Sequence, residues 1–519
     1  MPQSLMQTPE LLKGNNTIPG VKVPDEILKE IPGIFKACRD WGLDFYPTVV
    51  EFLDYDGISE VAAYGGFPVR FPHWSWGEQY EELSRGYEFG MHRIYEMVIN
   101  TNPCYIYCLD SNTWVDHVTV IAHATGHNDF FKNNIFFSPT SQNMMNELAN
   151  HGTRIRKYIA EWGKEDVGKF IDKVMSVETL LDPAKAWLKR RQKEPIPDIR
   201  RQYNHPRRLK VEKGHEHMED WINTKDYIDS EKKRIREEEL KKNIGLFQGV
   251  DKDIFGYLKD NAPMKPWQED IISMLYEESM YFAPQGQTKM LNEGWASKVD
   301  SELMARYGLA KDDGIVEYSA HKAGVLGGKE SMNPYKMGYL LLEDIEERWN
   351  KGKFGNEYDD CEDFREKLNW DKKLGLGHDK IFEVRKYYDD VTAISEFFTQ
   401  EFCDKYEFFI WRRFPDGTYK IMERDAKKIK QMLLQQKVNR GLPTIKLVEP
   451  NYKNRRVFLM EHQWDGRTLH PTQTSETMKA LSYIWRGPCA ILTKNKDNKQ
   501  IMYYCEDANA KVEVGEPAI

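Results

Sequence analysis

Apolar side chains recur at helical spacing along most of this chain, but the pattern stops over residues 183–242, and that interruption constrains how a core can be built. Lys-Arg-Arg-Gln-Lys at 189–193 and the run 230–242 are rich in charge and poor in bulky apolar groups. Such a stretch reads as a solvated helix or connector, and its mixed signs argue against a nucleic-acid track. The sequence therefore divides into an N-terminal helical region (1–165), a charged helical connector (166–245), a second helical region that completes the core (246–405), and a C-terminal α+β domain (406–519). With 519 residues, more than one packed unit is expected.

Hydrophobic residues at 40% and aromatics at 13% are enough to offset chain-ordering entropy, so the chain is globular. The net charge of -8 is small for this length and gives no field that would draw in nucleic acid or acidic lipid. No run of eighteen apolar residues offers a membrane span, and residues 1–16 lack a basic segment followed by an apolar one. Seven cysteines, an odd number without a CxxC pair, fit a reducing compartment, so a cytoplasmic location is expected. Cys104 and Cys108 read either as a thiol pair for a metal or as small buried residues.

Local patterns place the elements. Residues 25–41 are helical, and 76–98 form one long amphipathic helix with Glu78, Glu81, Glu82, Arg85, Glu88 and Glu96 on its polar face. Further helices are expected over 116–128, 141–162, 267–281, 287–307, 334–349 and 387–403, with a turn at 284–287. Near the C-terminus, Pro415-Asp416-Gly417 marks a hairpin, and Cys489–Thr493 pairs with Gln500–Tyr504.

The sharpest chemical feature is HATGH at 123–127. Histidines four apart share one helix face, so His123 and His127 can share a divalent metal, with zinc the natural choice. In the HExxH arrangement the residue after the first histidine is the glutamate base; here it is Ala124. Glu147, twenty residues beyond His127, has the spacing of a third carboxylate ligand. Glu293, in NEGWAS at 292–297, competes for that role or divides it with a base role. Pairing with Arg154, Arg156 and Lys289 could satisfy these glutamates without a metal, although two nitrogens and a carboxylate favour a divalent ion. Asp129 and His151 are candidate partners for the imidazoles' second nitrogens. Glu278 and Glu82 are further candidate bases, and His321 with Tyr335 could hold a developing oxyanion.

FPHWSWGEQYEELSRGY (71–87), YEMVINTNP (95–103), HATGHNDFFKNN (123–134), YFAPQGQTK (281–289) and NEGWAS (292–297) together resemble, in order, the motifs of the stage V sporulation protein R (SpoVR) family. The likeness runs from about residue 41 to beyond 402. Lys298-Val299-Asp300 stand where that pattern tends to carry an aromatic residue and a histidine. The resemblance implies a cytoplasmic protein linked to sporulation and formation of the spore cortex. The expected fold is α+β and mainly helical, with a zincin-like, metallopeptidase-type core and a C-terminal antiparallel α+β domain. Two functions are expected: a metal-dependent hydrolase of peptide or amide bonds, or a non-catalytic regulatory or assembly protein that binds a peptide or protein partner on a peptidase-like scaffold.

Overall fold

The structure is a computed structural model that describes residues 25–88, 96–187, 251–306, 314–327 and 333–516. In chain order its elements begin α1 (Asp25–Trp41), β1 (Thr48–Leu53), α2 (Tyr55–Ala63), α3 (Trp74–Glu88), β2 (Glu96–Ile99), β3 (Cys104–Leu109), α4 (Trp114–Asn133), α5 (Met144–Trp162) and α6 (Lys164–Met175). Then come α7 (Ile254–Asn261), α8 (Pro266–Gln287), α9 (Lys289–Arg306), α10 (Gly314–Leu326), α11 (Pro334–Lys351), α12 (Gly377–Tyr387), α13 (Asp390–Phe397) and α14 (Gln400–Tyr406). The remainder is β4 (Ile410–Arg413), β5 (Tyr419–Glu423), α15 (Ala426–Lys437), β6 (Ile445–Tyr452), β7 (Val457–His462), α16 (Pro471–Trp485), β8 (Cys489–Lys494), β9 (Gln500–Cys505) and β10 (Glu513–Gly515). The fold is thus α+β and mainly helical. Among the described residues no helix is long and apolar enough to cross a membrane.

The chain forms two compact units, one of Met1–Ile171 with Asp270–Leu442, the other of Asp172–Glu269 with Pro443–Ile519. Most of the expected charged connector, residues 188–250, lies outside the described residues. The sequence reading began the C-terminal domain at 406, yet the β4–β5 hairpin and α15 fall in the first unit. The reason is packing: Ile410, Trp411 and Ile421, with buried Ile429 and Leu433, close the first unit's core.

At the centre of that core lies α4. It starts at a capping box, Thr113 with Asp116, and is buried on nearly every side from Val115 to Phe131. An amphipathic stripe would leave one face to water; this helix carries apolar groups and histidines all round and so belongs inside. Against it pack α1 through Ile31 and Phe35 and α9 through Trp295 and Val299, while α11 packs on α9 and adds Leu341 and Leu342 to the same core. A three-stranded sheet, ordered β1-β3-β2, adds Ile106 and Cys108 to the same core.

Two helix crossings are unusually close. A Cβ on Gly126 of α4 would lie 2.9 Å from Ala296 Cα on α9, and one on Gly294 would lie 2.3 Å from Gly338 C on α11. Only glycine lets these backbones approach so far. The two crossings bring α4, α9 and α11 together around one side of His123 and His127.

Several expectations give way. The helix expected over 76–98 is α3 followed, after residues outside the description, by β2, which pairs antiparallel with β3. Met97-Val98-Ile99 gain more by laddering against Tyr105–Tyr107 than by continuing a helix. The expected helix 387–403 is two helices, α13 and α14, because Asp389 and Thr399 each cap a new start. The turn expected at 284–287 is instead the last turn of α8, with Pro284 inside it. Cys104 and Cys108 sit four apart on β3, about 13 Å at ordinary strand rise, too far to share an ion.

The second unit holds a five-stranded sheet, ordered β10-β9-β8-β7-β6, antiparallel except between β7 and β8. Phe458 on β7 packs at a tilt against Trp485 of α16, ring centroids 5.0 Å apart, so that helix covers one sheet face.

Candidate metal centre

The HATGH turn places both imidazoles on one face of α4, with ring centroids 4.8 Å apart. Each ring is anchored through Nδ1. Asp300 Oδ2 lies 2.8 Å from His123 Nδ1, and Asn292 Oδ1 lies 2.9 Å from His127 Nδ1. Both partners come from α9, which the Gly126 crossing holds close. An acceptor on Nδ1 fixes the proton there and turns the Nε2 lone pair outward, which is how proteins orient metal-binding histidines.

Carboxylates face those two Nε2 atoms. Glu293 Oε2 is 3.4 Å from His127 Nε2 and 3.8 Å from His123 Nε2, while Glu96 Oε1 is 3.7 Å from His123 Nε2. A tetrahedral ion with bonds of about 2.0–2.1 Å keeps its ligand atoms about 3.3–3.4 Å apart. The observed spacings approach that edge and exceed a direct N–H···O bond, so His123, His127 and Glu293 fit a first-row divalent ion. Ligand atoms of Glu96, His123 and His127 also lie within 4.8 Å of one another. Glu96 Oε2 is buried without a hydrogen-bond partner among the described residues, as an acceptor that a cation or its bound water could satisfy would be.

The electrostatics match. Burial lowers the His123 imidazole's pKa, but Glu96, Asp300 and Glu293 outweigh it and hold it up at about 10. Burial raises the Glu96 carboxyl above the ordinary range, and the two histidines offset that only in part. For Glu293 burial is outweighed by the attraction of the His123 and His127 imidazoles, which keeps its carboxyl well below the usual range. Negative charge is therefore in excess and a proton on His123 compensates some of it, the place a metal ion would take. Asp300 is in turn held by Tyr318 and by Lys322, each at 2.7 Å. Tyr335, at the start of α11, lies beside Glu293, and burial together with that carboxylate's charge raises its phenol.

Other candidates go elsewhere. Glu147 lies in the first turn of α5 and accepts from Ser141 at 2.7 Å, an end-of-helix role. Asp129 does not orient an imidazole: two residues past His127 it points about 200° round the helix. There it accepts from Trp295 Nε1 at 2.9 Å and pairs with Arg385 at 3.0 Å. His151 and Glu278 form a separate buried trio with Arg70, at 2.9 Å and 2.8 Å. Glu82 is exposed on α3. The His321 side chain lies outside the described residues. The arginine explanation for Glu293 fails among the described residues, where its ion pairs are the two imidazoles; Arg154 pairs with Asp270.

Glu96, Asn292 and Asp300 were not singled out from sequence. The signal for Glu96 was present: Met-Val-Ile before Asn-Thr-Asn-Pro and Cys-Tyr-Ile-Tyr-Cys-Leu reads as two short strands about a turn. Lys298, displaced from the histidines, sits among Glu302 at 2.9 Å, Glu346 at 2.6 Å and Glu343.

Three helices crossing at glycines, with paired imidazoles facing two carboxylates, define a protein with a His-and-carboxylate candidate metal centre on an α+β scaffold. The chain belongs to the SpoVR family: the family model described as "SpoVR like protein" matches residues 23–442 and ends where the first compact unit ends. It is 28% identical over 342 residues to the Escherichia coli (strain K12) protein called "Uncharacterized protein YcgB", a match covering 62% of this chain and 63% of that protein. No solved structure matches the chain.

Proposed function

We propose that the chain is a metal-dependent hydrolase of peptide or amide bonds, with a zincin-like core, acting in sporulation and formation of the spore cortex. One observation carries the reading: both Nε2 atoms, their rings anchored through Nδ1, face Glu293 at 3.4 and 3.8 Å. In this reading His123, His127 and Glu293 hold a divalent ion, zinc by ligand type, which would acidify a water and polarise the scissile carbonyl. Glu96 takes the proton that the usual glutamate would take, since Ala124 occupies that position. Its raised pKa and its orphan oxygen suit a base. Tyr335 steadies Glu293 and presents a phenol beside the reacting group.

Metal analysis of the purified protein tests this. Stoichiometric divalent metal that disappears in the His123→Ala, His127→Ala double variant, together with peptide-library turnover that disappears with it, is expected. A metal-free protein, or metal content unchanged in the double variant, removes the proposal.

Ala124 also supports a second reading, in which the scaffold binds a peptide or protein partner without turning it over. Metal bound at full occupancy, no hydrolysis of any library peptide, and partner capture retained by the double variant would favour it.

A further inference from the structure

We propose that Cys489 and Cys505, in the second unit, form a paired thiol site that a small-molecule disulfide oxidises to a cross-strand disulfide. The two residues stand directly opposite each other where β8 begins and β9 ends. Directly opposed residues of an antiparallel pair share a sheet face, with Cα atoms about 4.5–5.5 Å apart. Disulfides span Cα separations of about 4.4–6.8 Å, so the backbone already holds the spacing the bond needs. Both side chains point to the face covered by α16, where Cys489 Sγ lies 3.3 Å from the Met478 carbonyl oxygen. Cys505 Sγ lies 3.1 Å from the Asp507 carbonyl oxygen.

Other cysteines lack this placement. Cys104 and Cys108 lie on one strand, and Cys38, Cys361 and Cys403 lie on no strand. Either thiolate can begin the exchange.

With glutathione disulfide as the oxidant the chemistry balances. One cysteine gives up its proton and its thiolate attacks one glutathione sulfur; the glutathione S–S bond breaks, and one glutathione thiolate leaves and takes up that proton. The second cysteine then gives up its proton and attacks the protein sulfur of the mixed disulfide, expelling the second glutathione. Two thiols are oxidised and one small disulfide is reduced to two thiols. Both sulfurs are fully buried, so the reaction proceeds through local opening of the strand ends. The bond would fix β8 to β9 beside a groove of about 720 Å³ lined by Pro488, Tyr504, Glu506 and Val514.

The test is to incubate the full-length protein in a graded series of reduced and oxidised glutathione, quench with acid and map linked peptides by mass spectrometry. The expected result is a Cys489–Cys505 peptide that appears before any other linkage, with two fewer titratable thiols per chain. It should be absent from Cys505→Ser and Cys489→Ser proteins. A persistent glutathione adduct on either residue, an earlier linkage between other cysteines, or a Cys489–Cys505 peptide that forms only after urea unfolding overturns the proposal. Those readings come from the unaltered chain, so they do not depend on either variant folding.

Discussion

Replacing Gly126 by alanine separates the fit of the candidate centre from the stability of the fold. The new Cβ would lie 2.9 Å from Ala296 Cα and 3.2 Å from Val299 Cγ2, against a comfortable carbon–carbon distance of about 3.5–4.0 Å. Ala296 Cα is backbone and has no rotamer to yield, so α9 must move outward by roughly half an ångström or more. Overpacking of this kind costs about 1–3 kcal/mol. The same substitution in a helix interior returns about 1 kcal/mol of helix propensity, so the net loss of stability is about 0–2 kcal/mol. The centre has less latitude. Asn292, Glu293 and Asp300 all ride on α9, and metal–ligand distances tolerate only about 0.2 Å. Displacing the helix should weaken metal binding at least tenfold, about 1.4 kcal/mol. Competition with a chromophoric chelator reads the affinity, and urea unfolding reads the stability. Gly168→Ala is the control, because a Cβ there meets nothing within 4 Å. A Gly126→Ala protein that binds metal as tightly as the parent would refute the argument that this crossing sets the position of α9.

Glu96→Gln should keep metal content near the parent level while peptide turnover falls by about 10²-fold or more, the range for loss of a general base; loss of the metal instead would make Glu96 a ligand. Lys298→Met leaves Glu302, Glu343 and Glu346 facing one another between α9 and α11, so unfolding stability should drop by about 3–5 kcal/mol, and a change below about 1 kcal/mol would refute that role. Hydrogen bonds from Lys351 and Lys405 pull the Glu347 carboxyl down to about 2. Its folded pKa lies below the unfolded value, so its contribution is present above about pH 4.5 and is lost as pH falls toward 2. Glu347 is half-exposed, which limits the effect to about 0.5–1 kcal/mol; Glu347→Gln should flatten the acid limb of the stability profile by that much, and an unchanged limb counts against it.

The histidine pair was legible because four-residue spacing on a helix is a local property, and α4 obeys it. Glu293 was legible through its motif. Glu147 misled because a distance counted along the chain says nothing about direction: α5 turns that side chain to its own N-terminus. Glu96 escaped because Tyr-Glu-Met-Val-Ile satisfies helical and strand periods alike over so few residues, and only pairing with β3 decides between them. Asp300 and Lys322 escaped for another reason, since an aspartate on a helix looks like a solvated charge until a second helix buries it. The boundary at 406 was placed on a change of local pattern, whereas the unit ends at 442, where Ile429 and Leu433 stop contributing to the core.

The partners that orient the two imidazoles lie 165 and 177 residues downstream of them. During synthesis the ribosome therefore releases α4 long before α9, so a nascent chain carries the two histidines with Glu96 but without Asn292, Glu293 and Asp300. On the proposed reading, a metal could be held in full only after the later helix has emerged and docked, which would make loading a late event in the life of each molecule.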